Sequence, residues 1–207
     1  GSSAASDVYK RQVLNLEGRL KIIYLHGFNS SSNSKKAKIF KNSKFVVSSG
    51  IKVFFPDLPV SPKEAIKNIL GLAKSCDFKI SLIGSSLGGF YSTYIADTYN
   101  LKSININPVV PSHLKDMKDL IGNHRNYHSD ESYLFSQDMY EYLHKIKIKK
   151  LKYPLNHLSL IQLEDEVLNH FKTLSYYKNS NLCVEKDGSH EYKEFEEKIP
   201  LILDFLL

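Results

Sequence analysis

Ser86 stands at the centre of Gly84-Ser85-Ser86-Leu87-Gly88-Gly89, a G-x-S-x-G pattern. A serine hydroxyl is a weak nucleophile until a base takes its proton, and that base must itself be oriented. Chains with such an elbow supply the partners in the order serine, acid, histidine. His190 fills the last place, in Asp187-Gly188-Ser189-His190. Of eight histidines it alone combines that order with a loop after a terminal strand-like run. The acid should follow the run Leu158–Leu163, where Glu164, Asp165 and Glu166 are consecutive. Asp165 is preferred because Asp165-Glu166-Val167 reads as D-x-V, with the acid turned inward and the valine packed under it. Glu164 and Glu166 are read as solvated loop charges. Ser86, Asp165 and His190 are therefore the expected catalytic set.

Acyl transfer also needs N–H donors for a developing oxyanion. His26-Gly27-Phe28 closes the first apolar run, and the backbone N–H groups of Phe28 and Leu87 are the expected donors. His26 is read as a hydrogen-bonded structural histidine under that loop. Asn29, Ser30 and Ser31 are read as side-chain-to-backbone anchors of it. Ser85 should face away from the pocket. Tyr133, Phe135 and Tyr140 are candidates to line a substrate pocket. Lys145, Lys147, Lys149, Lys150 and Lys152 read first as a solvated face, second as an attractor for an anionic substrate such as an acyl-CoA. No metal-spaced His/Asp/Glu set, G-x-G-x-x-G or P-loop occurs, so neither metal nor cofactor is expected.

The elements that must hold these residues alternate. Leu20–Leu25, Ile51–Phe55, Phe78–Ile83, Ser103–Ile106, Leu158–Leu163 and Leu182–Glu185 read as strands. Between them Lys35–Val47 and Leu87 to about Tyr99 read as helical. Ser61-Pro62-Lys63-Glu64 marks a helix start, with Ser61 as cap, Pro62 in the first turn and Glu64 completing a capping box. The run FKISLI leads straight into Gly84, as a strand–elbow–helix unit requires. Six strands alternating with helices predict a mostly parallel sheet covered on both faces. Pro200 interrupts the apolar stripe of the tail, which predicts two short helical pieces. Residues 111–156 break the alternation and are expected to form a lid-like insertion, helical over Asp130–Ile146.

The composition narrows the function classes. The 207 residues are 42% hydrophobic and 24% charged, an ordinary globular balance. Net charge is +6, yet outside the first twelve residues the arginines are Arg19 and Arg125 alone. Bidentate readers of phosphate and bases are usually arginines, so nucleic acid is not the expected partner. No apolar run approaches a membrane span. Cys76 and Cys183 are too few for a disulfide framework or zinc site and read as apolar residues. A soluble cytoplasmic domain is expected. Gly1 reads as a scar and Ser2–Gln12 as one frame of a sequencing adapter. Residues 1–12 are thus expected to be a non-native leader before a single domain over 13–207.

With HGFNSS, GSSLGG, NPVVP, EDEVLNH and GSHEY in this order, the chain from about Leu20 to Leu207 resembles the YqiA/YcfP-like esterases, small bacterial α/β-hydrolases. The resemblance implies a minimal six-stranded α/β-hydrolase fold, a Ser86–Asp165–His190 triad and an oxyanion hole at Phe28 and Leu87. It implies hydrolysis of short acyl esters or thioesters without a cofactor. The acid loop reads LEDE where that family tends to have a glycine before the aspartate. The competing readings are a catalytically silent binding module and another hydrolase or lyase chemistry on the same residues.

Overall fold

The computed structural model describes residues 20–125 and 132–207. Among them β1 (Lys21–Leu25), β2 (Lys52–Phe54), β3 (Ser81–Ser85) and β4 (Ser103–Ile106) form one all-parallel sheet with two later strands. A separate antiparallel pair, β5 (Gly122–Arg125) and β6 (Ser132–Phe135), intervenes. β7 (His157–Gln162) and β8 (Asn181–Glu185) then complete the sheet in the order β2-β1-β3-β4-β7-β8. The chain leaves β1 for one edge and returns to pair β3 on its other side. Parallel sheets bind ligands outside the carboxyl ends of their strands at such a reversal.

Both faces of the sheet are buried, as its period-two pattern requires. Ile22 and Tyr24 of β1 point to one core with Ile83, Ile104, Leu158 and Leu160. That side is covered by α1 (Lys35–Asn42), α2 (Lys44–Ser48) and, at the chain end, Ile199, Ile202, Leu203 and Leu206. Ile23 and Leu25 point to the other core, under α3 (Pro62–Ser75) and α4 (Leu87–Tyr99). Each such aliphatic side chain contributes roughly 1.5–3 kcal/mol on full burial.

Several expected boundaries shift for local reasons. The helical stretch from Lys35 breaks at Ser43, whose extended backbone ends α1 while its hydroxyl accepts the Phe45 N–H to start α2. The third strand begins at Ser81, not Phe78, because Asp77 and Phe78 both have positive φ and turn the chain after α3. Ser61 accepts the Glu64 N–H as the cap of α3.

The insertion departs most from expectation. Residues 132–135 are not helical. Tyr133 and Phe135 alternate with the exposed Leu134, a strand period that β5 satisfies by pairing. Of the expected helix Asp130–Ile146, whose residues 130–131 lie outside the described residues, α5 (Gln137–Ile146) is helical, capped by the Ser136 hydroxyl on the Met139 N–H. α6 (His170–Tyr176) links β7 to β8. At the end of the chain, a 3-10 turn at Phe195–Lys198 precedes α7 (Ile199–Leu206). Pro200 sits in the first turn of α7, where no helical N–H is required. The leader at residues 1–12 lies outside the described residues, among which no helix is long and apolar enough to cross a membrane.

Away from the elbow, His157, Ser103 and Asp97 form one of the polar groups sealed into the core. The His157 Nδ1 lies 2.8 Å from the Ser103 hydroxyl, and its Nε2 lies 3.5 Å from an Asp97 carboxylate oxygen. Asp97 accepts the N–H groups of Lys152 and Tyr153, tying the end of the insertion to α4. Burial, which outweighs attraction to Asp97, lowers the His157 pKa; burial likewise lowers that of His113. Both histidines therefore resist protonation when folded, while the unfolded chain takes up protons near the ordinary value of about 6.5. Stability is thus full above about pH 6.5 and declines as pH falls below it, by at most about 1.4 kcal/mol per pH unit for each histidine. We expect the melting temperature to drop between pH 7 and pH 5, and to drop less in His157→Gln. A melting temperature that is flat or rises over that range would contradict this.

Candidate active site

The carboxyl ends of β1, β3, β4, β7 and β8 bring the separated motifs together. Ser86 leaves β3 with φ 55° and ψ −120°, a left-handed conformation that L-residues adopt only under constraint. Its own N–H donates to Ile106 O, and its carbonyl accepts from Val109 N–H, both at 3.0 Å. The flanking glycines are obligatory for steric reasons. A Cβ on Gly84 would lie 2.2 Å from Gly88 O, and one on Gly88 would lie 2.3 Å from Leu25 O. Helix α4 therefore starts against the end of β1, which presents the Ser86 hydroxyl at the mouth of the sheet. Ser85 is buried in the sheet.

The three expected residues meet. His190 Nε2 lies 3.0 Å from Ser86 Oγ, and His190 Nδ1 lies 2.9 Å and 3.0 Å from the two Asp165 carboxylate oxygens. Burial pushes the Asp165 carboxyl up, but the hydrogen bond and charge of His190 and the N–H groups of Leu168 and Val167 together hold it below its ordinary value. As a carboxylate Asp165 can only accept, so Nδ1 carries the proton and Nε2 faces the serine with a lone pair. Val167 is not packed under the acid. It is 63% exposed, and its contribution is its N–H, 2.9 Å from Asp165 Oδ1. Glu166 is likewise more than a solvated charge, since its carboxylate accepts the His190 backbone N–H at 2.9 Å. Glu164 is exposed.

Gly27 packs against Ser86, where an added Cβ would come within 3.0 Å of the serine Cβ. This contact places the Phe28 backbone opposite the start of α4 at Leu87. His26 sits beneath the loop, with Nδ1–H on Gly27 O and Nε2 accepting the Leu58 N–H, each at 2.9 Å. Asn29 reaches across to the carbonyl of Arg125 on β5. The β5–β6 hairpin covers the loop, its Tyr133 and Phe135 rings meeting Phe28 edge-on at 5.9 Å and 5.5 Å. A cleft of about 50 Å³ opens here between Phe28, Leu58, Leu87, Tyr91 and Tyr133. Of the three expected pocket residues only Tyr133 lines it. Phe135 is fully buried beneath, and Tyr140 lies on α5 against the His144 ring. Among the described residues no group of three or more His, Cys, Asp or Glu is arranged to hold a metal.

Residues 21–207 match the family described as "Uncharacterised protein family (UPF0227)". The chain belongs to this family. UPF0227 is the YqiA/YcfP family, as the order of the motifs anticipated. Solved structures agree on the architecture. A presumed hydrolase from Agrobacterium vitis S4 superposes with a TM-score of 0.72 at 15% identity, over 92% of this chain and 89% of that one. The mouse alpha/beta hydrolase domain-containing protein 10 gives 0.69 at 17% identity, over 90% and 89%. Est1E from Butyrivibrio proteoclasticus, bound to ferulic acid, gives 0.68 at 14% identity, over 93% and 90%. At these identities the likeness establishes the α/β-hydrolase fold.

Two positioning residues escaped the motif reading. Gln162, buried at the end of β7, accepts the N–H groups of Ser189 and Lys193 on one oxygen and donates to Lys193 O and Glu185. It thus ties down both sides of the His190 loop. Gly188 makes room for it, because a Cβ there would lie 2.1 Å from the Gln162 side-chain oxygen. Asn107, at φ 38°, accepts the Gln162 N–H and donates to the carbonyls of Ser189 and His190. The only local signal was Asn107-Pro108 at a strand end, which reads as a stop. Lys36 on α1, buried so that its pKa is lowered, donates to Glu191 O on the far side of the loop. His113 joins Val110 N–H to Asn169 O, bracing the acid loop from behind.

Replacing Gln162 by leucine would leave the part-buried N–H groups of Ser189 and Lys193 without their acceptor, at up to about 1–1.5 kcal/mol each. We expect Gln162→Leu to lose about 1–3 kcal/mol in urea denaturation and to speed amide exchange over residues 188–193. Unchanged exchange in that loop would show that other contacts hold it.

Proposed function

We propose that this protein is a serine hydrolase that cleaves short-chain acyl esters or thioesters through an acyl-enzyme. The observation that carries the reading is the unbroken chain from Asp165 through His190 to Ser86 on a left-handed elbow, at 2.9–3.0 Å per link. In the first step Ser86 Oγ bonds to the acyl carbon while its proton moves to His190 Nε2. Asp165 accepts from Nδ1–H throughout and stabilises the imidazolium. The oxyanion is met by the backbone N–H groups of Phe28 and Leu87. The tetrahedral intermediate collapses as His190 returns the proton to the departing alkoxide or thiolate. Water then repeats the sequence on the acyl-enzyme, with His190 as its base, and releases the acid.

The esterase among the structural neighbours supports this class of chemistry. The small cleft between Phe28, Leu87 and Tyr133 favours short acyl groups. Each methylene buried is worth roughly 0.8 kcal/mol, about fourfold in kcat/KM, only while wall remains to cover it.

A fluorophosphonate probe read by peptide mass spectrometry should label Ser86. Ser86→Ala should abolish both labelling and ester hydrolysis while leaving the melting temperature near wild type. Label on Ser85, or on neither serine, would overturn the assignment. Asp165→Asn should lower kcat by up to about 10⁴-fold, since it withdraws the acceptor that fixes the histidine tautomer. Near-wild-type turnover in that variant would exclude Asp165 from the chain. For p-nitrophenyl esters, kcat/KM should climb from acetate to about butyrate or hexanoate and then fall. An optimum at twelve carbons or more would contradict the short-acyl reading.

A further inference from the structure

A second cavity lies away from the elbow. It is a groove of about 780 Å³ between α6 and the segment Lys149–Pro154. That volume is in the range of small-molecule sites and far exceeds what a single phosphate fills. Lys149 and Lys150 stand on one wall, Lys172 and Lys178 on the other. No carboxylate belongs to its lining. Lys172 is shared with Asp116 at 2.6 Å, while Lys149, Lys150 and Lys178 pair with no acid among the described residues. A solvated lysine face needs no concavity; here four lysines line one.

The groove also has an apolar side. Phe171 stands at its edge 71% exposed, an unusual position for so large an apolar ring. The Tyr176 ring is fixed beside it by a hydrogen bond from its hydroxyl to Ile148 O. An exposed aromatic ring beside cations suits a ligand with a flat ring and a chain of negative charge.

We infer that this groove binds a nucleoside diphosphate, either free or as the terminal part of a larger substrate. The base lies on Phe171, and the phosphates lie between Lys149–Lys150 and Lys172–Lys178. The lysines act as point charges on phosphate oxygens, which permits a diphosphate without demanding bidentate arginine geometry. Pro111 and Asn169 belong to the groove's lining. Val109, close in sequence to Pro111, holds the Ser86 carbonyl. The site itself does not depend on the Ser86 chemistry.

Isothermal titration of the full chain with ADP, in wild type and in Ser86→Ala, tests this directly. Both proteins should bind ADP with similar affinity, and adenosine and pyrophosphate should each bind at least about tenfold more weakly than ADP. The double variant Lys149→Glu/Lys150→Glu should weaken ADP by about tenfold or more, and Phe171→Ser by several-fold. Raising salt from 50 to 300 mM should weaken wild-type binding, since exposed charges are screened. Absence of ADP binding at millimolar concentration overturns the inference. So does binding that is indifferent to the lysine and Phe171 variants. ADP that competes with acyl-CoA hydrolysis but not with a p-nitrophenyl ester assigns the groove to the substrate's nucleotide end. Binding without such competition assigns it to free nucleotide. ADP binding in a protein whose Ser86 takes no probe would reject the hydrolase reading and leave this one standing.

Discussion

The left-handed backbone of Ser86 is the constraint on which the rest of the site depends. Residues at φ near 55° with ψ near −120° cost of order 1–3 kcal/mol and persist only when their surroundings over-determine them. The surroundings here are backbone rather than side chain. Gly84 and Gly88 let two strand ends and a helix start approach closer than any Cβ allows. The hydrogen bonds from Ser86 N–H to Ile106 O and from Val109 N–H to Ser86 O then lock the bend between two neighbouring strands. The serine is presented because the chain around it has no freedom to retract it.

The histidine has the opposite problem. It sits on a loop after the edge strand β8, which is short and half-exposed. Its precision comes from side chains of other strands. Gln162 and Asn107 link to each other and together hold both flanks of that loop. Glu166 and Lys36 fasten its outer side through His190 N–H and Glu191 O. A loop with few backbone bonds of its own thus gains the rigidity of the sheet. The acid loop is held similarly, by Asp165 accepting the N–H groups of Val167 and Leu168 and by His113 behind it. Where Ser86, Asp165 and His190 arrive on separate loops, amide side chains at strand ends do the aligning.

The insertion divides into two parts with different surfaces. The β5–β6 hairpin presents Tyr133 and Phe135 to Phe28 and roofs the small cleft. Beyond α5, the segment that returns to β7 forms one wall of the lysine-rich groove. Asp97 anchors that wall to α4 from within the core. One insertion therefore lines two cavities, one small and tight, the other lysine-rich and open.

The sequence by itself determined the sheet, the elbow and the chain order of the three side chains that meet there. Strand-like runs in a sheet buried on both faces are continuous and apolar, and the tight G-x-S-x-G turn admits few residue types. Asp165 was legible among three consecutive acids, although the supposed packing of Val167 was not its true support. The β5–β6 hairpin was not legible. Tyr133 and Phe135 satisfy a strand period only if β5 pairs with them, and Gly122–Arg125 carries no strand signal of its own, while the adjoining helix of α5 biased the whole stretch toward helix. Gln162 and Asn107 carry no motif, because a buried amide becomes a positioning group only when the loop it binds folds back over it. The lysines of the groove were legible as charge and not as a site. Their grouping around one groove depends on where α6 packs, and tertiary packing alone decides whether lysines distant in the chain line the same cavity.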